Sequence, residues 1–248
     1  MVNQSRFTYV GLEPQTNSNG FAFAALDTNL NLLAIGEGSQ KDVFSYIMGQ
    51  KSAIIGIHAP VNPGQNHQHS ENPNPENIPV KEYRQCEYEI WKEHIPVDFT
   101  TAKMSKMPAS VRRGYQFYST LQRYEYTLAH QSPANKILIE TQPAACYYQL
   151  VDTQPLQEET ILGRIQRQLI LHNLNLPIQD PMSFFEEVTR YKLLMGKITL
   201  QSILIPEELN ALVIAYTAWL FRNKPDQIQC WGDGSDGVII LPKNTQAN

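Results

Sequence analysis

The chain has 248 residues, 42% hydrophobic and 18% charged, with a formal net charge of −4, the profile of a soluble globular protein able to bury a core without covalent staples. No apolar run approaches the roughly 20 residues of a membrane-spanning helix; the best, "ALVIAYTAWLF", is about half that length. Cys86, Cys146 and Cys230 are far apart and form no Cys-x-x-Cys pair, which argues against a disulfide framework and a structural zinc site, and the net acidity argues against coating nucleic acid by bulk charge.

The opening "MVNQSRFTYVG" lacks a basic region followed by an apolar core and a small-residue cleavage site, so a cytoplasmic location is expected. Strand signals follow at residues 6–13, 20–27 and 31–38, separated by the turn-forming runs "NSNG" and "DTN". Three such strands with short connections predict an antiparallel meander. Residues 39–50, with Val43, Ile47 and Met48 near helical spacing, predict a helix entered at Ser39 or Gln40. The all-apolar "AIIGIH" (residues 53–58) then reads as a strand covered on both faces, as in parallel pairing.

Residues 60–79, "PVNPGQNHQHSENPNPENIP", are rich in Pro, Asn and Gly and predict a polar loop. His67 and His69 within it are candidate metal ligands by type, but an i, i+2 pair in a polar tract is read here as solvated. Helices are expected at residues 80–94 and 110–130, a strand at 135–143, and helices at 158–174, 181–196 and 206–222. The last two begin with proline, which is tolerated in a first helical turn. Residues 227–242 predict a small two-stranded ribbon around "GDGSDG". The sum is one α/β domain over residues 1–248: a mixed sheet, in which an antiparallel three-strand meander is followed by parallel strands, flanked by helices. A helical insertion is placed around residues 80–130, and further helices lie toward the C-terminus.

Three expected strands end in polar groups: Glu13, His58 and Glu140. Side chains at the carboxyl ends of parallel strands face the usual ligand crevice. Carboxylates gathered from separate elements suit magnesium or manganese, which take oxygen ligands. Glu207, Glu208 and Asn210 at the start of the last long helix are further candidates, although two glutamates in a first turn also answer the helix dipole. Glu140 directly follows three apolar strand residues, so if buried it must be paired, hydrated or metal-bound. Lys103, Lys106, Arg112, Arg113 and Arg123 share a segment with Tyr115, Phe117, Tyr118 and Tyr124, a mixture that suits a phosphate backbone and stacked bases. It suits better still an amphipathic helix with a solvated basic face and an aromatic packing face. Arg164 and Arg167, at i, i+3 spacing, are candidates for nucleic acid or for pairing with the acidic edge.

With "YVGLEP", "IGIHAPV", "EYRQCEYEIWKEHIP", "ILIETQPAACY", "LGRIQRQLIL", "EELNALVIAYTAWLF" and "DGVIILP" in this order, nearly the whole chain resembles the predicted-nuclease family known as Domain of Unknown Function 429. The resemblance implies an RNase H-like fold. It also implies a hydrolase in which acids hold two divalent metals, magnesium or manganese, for phosphodiester cleavage. Carried over by position, Glu13 matches the first-strand acid and Glu140 the family glutamate. His58 and Asn210 stand where aspartates are usual, leaving a metal set of Glu13, Glu140, His58 and Asn210. Glu208 could substitute for the missing helix acid after a small register change. Two neutral replacements weaken the hold on a hard cation, so two readings stand side by side. One is a metal-dependent nuclease or phosphodiesterase; the other is a non-catalytic RNase H-like module that binds nucleic acid or a protein partner, with no membrane partner in either case.

Overall fold

A computed structural model describes residues 7–16, 18, 20–64, 82–129, 134–187, 192, 194–197 and 200–244. The meander forms as expected from β1 (Thr8–Pro14), β2 (Gly20–Leu26) and β3 (Leu32–Ser39). Helix α1 (Gln40–Met48) is entered through a capping box: the Ser39 hydroxyl accepts from the Asp42 N–H while the Asp42 carboxylate accepts from the Ser39 N–H. The chain returns as β4 (Ala53–Ile57), parallel to β1.

Helices α2 (Gln85–Lys92) and α3 (Ala109–Gln122), the two-residue β5 (Thr127–Leu128) and β6 (Lys136–Glu140) come next. They are followed by α4 (Pro143–Val151), α5 (Ile161–Asn173), α6 (Ser183–Glu187), α7 (Pro206–Asn223), β7 (Ile228–Trp231) and β8 (Ile239–Pro242). The eight strands make one sheet in the order β3-β2-β1-β4-β6-β8-β7, with β5 pairing β6. Antiparallel at the meander and parallel through β1, β4 and β6, this is the RNase H-like mixed sheet. No helix among the described residues is long and apolar enough to cross a membrane.

Several expected boundaries move for local reasons. The helix expected at 80–94 begins at Gln85, because Arg84 is extended and its N–H is taken by the Glu87 carboxylate. The one expected at 110–130 ends at Gln122, and the chain turns through Glu125 at φ 70° to form β5. Thr160 caps the Gly163 N–H and starts α5 at Ile161. Of the helix expected at 181–196, α6 covers Ser183–Glu187 and residues 188–191 lie outside the described residues. The C-terminal ribbon does not stand apart: β8 pairs with β6 through Glu140↔Ile239 and extends the sheet. Residues 65–79 of the expected loop, with His67 and His69, also lie outside the described residues.

Alternation along the strands divides the core into two layers. Tyr9, Ile54, Ile137 and Ile139 join the layer under α7 and α4, whereas Val10, Leu12, Ile55, Ile57 and Leu138 join the layer that contains Phe117, Tyr118 and Leu121 of α3. Helix α7 is apolar nearly all round, buried from Leu209 to Leu220. Glycines let it approach the sheet: a Cβ on Gly11 would lie 1.9 Å from the Ala211 carbonyl oxygen, and one on Gly56 would lie 2.5 Å from Ile214 Cγ2.

Candidate functional site

The three polar strand ends do reach one edge. In the parallel register Leu12 lies beside Ile57 and Ile57 beside Glu140, so Glu13 and His58 follow as the next neighbours. Pleat parity, however, sends them to different faces. Glu140 is aligned with Ile57 and Leu138, which belong to the α3 layer, whereas Glu13 and His58 are one residue further on and fall on the α7 side. The Tyr118 hydroxyl lies 3.2 Å from the carbonyl oxygens of Ile57, Ala59 and Ile139, fixing the ends of β4 and β6 from beneath.

On the α7 side, His58 Nδ1 lies 2.8 and 3.0 Å from the two Glu13 carboxylate oxygens. His58 Nε2 is 3.5 Å from Asp98 Oδ2. Burial opposes a charge on the imidazole, but Glu13 and Asp98 together overcome it and hold the His58 pKa well above the usual histidine value. Burial raises the Glu13 carboxyl while His58 pulls it back. Interaction with the His58 imidazole, 3.5 Å away, and its charge hold Asp98 below the usual aspartate range.

On the α3 side, Glu140 is 2% exposed and faces the fully buried guanidinium of Arg84. Arg84 Nη1 donates to Glu140 Oε2 at 2.9 Å and Nη2 donates to Oε1, a bidentate pair; the Val61 N–H adds a bond to Oε2 at 2.9 Å. Arg84 Nε donates to Glu87 Oε1 at 2.8 Å. Glu87 is itself saturated by the Arg84 N–H, the Thr100 N–H and the Thr100 hydroxyl. Burial pushes the Glu140 carboxyl above its ordinary range, and the guanidinium and the Val61 amide oppose that push.

A cavity of about 370 Å³ opens between the two groups, lined by His58, Arg84, Asp98, Glu140 and Gln142 together with apolar side chains from residues 59–60 and 99–111. Its outer wall is fastened by side chain to backbone bonds: the Asp98 N–H donates to Gln142 Oε1 at 2.8 Å, and Gln142 Nε2 returns a bond to the Asp98 carbonyl at 3.1 Å.

The remaining candidates lie elsewhere. Asn210 donates from Nδ2 to Glu158 Oε2 at 3.3 Å, and its Oδ1 is buried without a partner. The Glu158 charge still raises the Glu13 pKa. Glu208 accepts from the Ile205 N–H at the start of α7, an N-terminal capping role. Arg164 donates to the carbonyls of Ile203 and Leu204, and Arg167 to that of Leu156 while packing on the Tyr147 ring. Both arginines are structural clamps. Arg113 donates to the carbonyls of Gln15 and Gly20. Lys103 and Lys106 are exposed and Arg112 is partly exposed. They belong to the chain segment that forms the outer cavity wall.

The donor set does not fit a pair of divalent cations. Both oxygens of Glu140 are engaged by Arg84, pleat parity separates it from Glu13, and Asn210 is turned to Glu158. Among the described residues no group of three or more His, Cys, Asp or Glu side chains is placed to hold a metal ion. Sequence reasoning missed Arg84, Glu87, Asp98 and Glu158. The one available signal was the demand that a buried Glu140 be paired, together with the i, i+3 spacing of Arg84 and Glu87 just ahead of a helix. Compared with known proteins, the chain matches no family model, no curated protein and no solved structure.

Proposed function

We propose that this chain is an RNase H-like module that binds single-stranded nucleic acid without cutting it, with the side chains of Arg84 and His58 standing where a two-metal enzyme holds its cations. The observation that carries this reading is the bidentate grip of buried Arg84 on Glu140. Two-metal phosphodiester cleavage needs carboxylates free to bridge the ions. Here the carboxylate would first have to leave a guanidinium, and stranding a buried charge typically costs about 3–5 kcal/mol. Lys103, Lys106 and Arg112, on the segment bordering the cavity, support an anionic partner. The kinship with Domain of Unknown Function 429 belongs to the same proposal, supported by the strand order and by acids at the ends of β1 and β6.

The competing reading, a nuclease using magnesium or manganese, is favoured by the retention of Glu13 and Glu140 at the ends of parallel strands. Labelled single-stranded RNA and DNA, duplex and RNA–DNA hybrid, incubated with either metal beside Glu140→Gln, separate the two. Salt-sensitive binding of single strands with no cutting is the expected result. Metal-dependent cutting that disappears in Glu140→Gln would overturn the binding-module reading.

A further inference from the structure

The charged groups lining the cavity come with opposite partners: His58 with Glu13 and Asp98, Arg84 with Glu140 and Glu87. An anion entering would lie beside Asp98 and Glu140, and a cation beside His58 and Arg84. A neutral ligand meets neither repulsion.

Hydrogen-bonding capacity is left at the mouth. His58 Nδ1 is committed to Glu13, while Nε2 stands 3.5 Å from Asp98 Oδ2, beyond the ordinary N–H···O length. The Asp98 carboxylate is 79% exposed and accepts no closer bond from the described residues. A donor and an acceptor therefore sit side by side at the cavity without an ordinary-length bond between them. Their complement is an acceptor adjacent to a donor, the arrangement on the pairing edge of a nucleobase: a carbonyl beside a ring N–H in uracil or guanine, a ring nitrogen beside an amino group in adenine or cytosine. Pro60, Phe99, Met107 and Val111 supply apolar surface for the faces of a ring, and about 370 Å³ is within the range of small-molecule sites. The outer wall segment also carries Lys103 and Lys106, with Arg112 next to Val111; none of the three forms an ion pair among the described residues.

We infer that the cavity receives one unstacked nucleobase, read by His58 Nε2 and the Asp98 carboxylate, while Lys103, Lys106 and Arg112 take the flanking phosphates. The inference rests on the nucleic-acid module reading and adds a base-dependent site to it. An isolated nucleobase presents the same edge, so the test includes both sources.

Fluorescence anisotropy of the full chain would compare a labelled oligouridine of about eight nucleotides, within the site sizes of single-strand binders, with an abasic strand and a 3-methyluridine strand of equal length. Calorimetry with free uridine and guanosine would run beside it. The expected preference for the base-bearing strand is about tenfold or more. Asp98→Ala and Val111→Trp should each erase that preference. Lys103→Ala with Lys106→Ala should weaken every strand and lower the salt dependence while the preference survives. Equal binding of the abasic and base-bearing strands, or a preference untouched by Asp98→Ala, would overturn the base pocket and leave the module reading standing. Nucleoside binding without strand binding would overturn the module reading and assign the pocket to a free heterocycle. Binding of neither would overturn both.

Discussion

Glu13 and Glu140 close strands that flank the same β4, yet they are neutralised in opposite ways. Glu140 is buried against a fixed cation, with both of its oxygens engaged. Glu13 is paired with a titratable ring, His58, that lines the cavity. The difference comes from the pleat: one residue of register puts Glu140 under α3 and Glu13 under α7. Carboxylates that look equivalent along the sequence thus serve separate ends. The Glu140 side is a structural lock, and the Glu13 side orients a titratable ring at the same cavity.

The largest expected effect comes from breaking the lock. Arg84→Met strands Glu140 and Glu87 as buried carboxylates, and urea melts should show a loss of about 3–5 kcal/mol. Glu140→Gln keeps the shape and leaves Arg84 paired with Glu87, so its cost should be nearer 1–3 kcal/mol. A reversed order would mean that Arg84 is not the group holding the α3 side together.

The open side is sharpened by pH. The folded-state His58 pKa is raised above its ordinary value, so between the two values the native state holds a proton that the unfolded chain has lost. His58 therefore contributes its full stabilisation below pH of about 6.5, and that contribution fades as pH rises through the folded value. Urea midpoints should fall over this range in the natural chain and flatten in His58→Gln. An unchanged slope in the variant would detach His58 from the effect. The smallest change in stability belongs to Asp98→Ala, within about 0.5 kcal/mol for so exposed a side chain. Its signature is a lowered His58 pKa in an NMR titration of the ring protons.

Much of this frame was legible in the residues. Alternation and turn runs gave the meander, the all-apolar 53–57 run gave a doubly covered parallel strand, and Glu13, His58 and Glu140 were placed at one sheet edge. What stayed hidden required three dimensions. Arg84 lies in a stretch whose spacing reads as helix, and only its extended conformation ahead of Gln85 frees its guanidinium to reach Glu140, 56 positions away. Asp98 sits in an irregular segment placed by Gln142. Asn210 is diverted by Glu158, a residue outside every motif. The expectation that the strand-end acids share a metal followed from their common edge. It overlooked the parity of the pleat, which was available from the one-residue offset once Leu12, Ile57 and Glu140 were set in register.

The most direct test of the central claim is a calorimetric titration of manganese into the natural chain, repeated with Glu140→Gln. If Arg84 is the cation of the Glu140 side, neither protein takes up the metal stoichiometrically. Stoichiometric binding by the natural chain that is lost in Glu140→Gln would contradict the account, because it would show that Glu140 releases Arg84 and serves as a metal ligand.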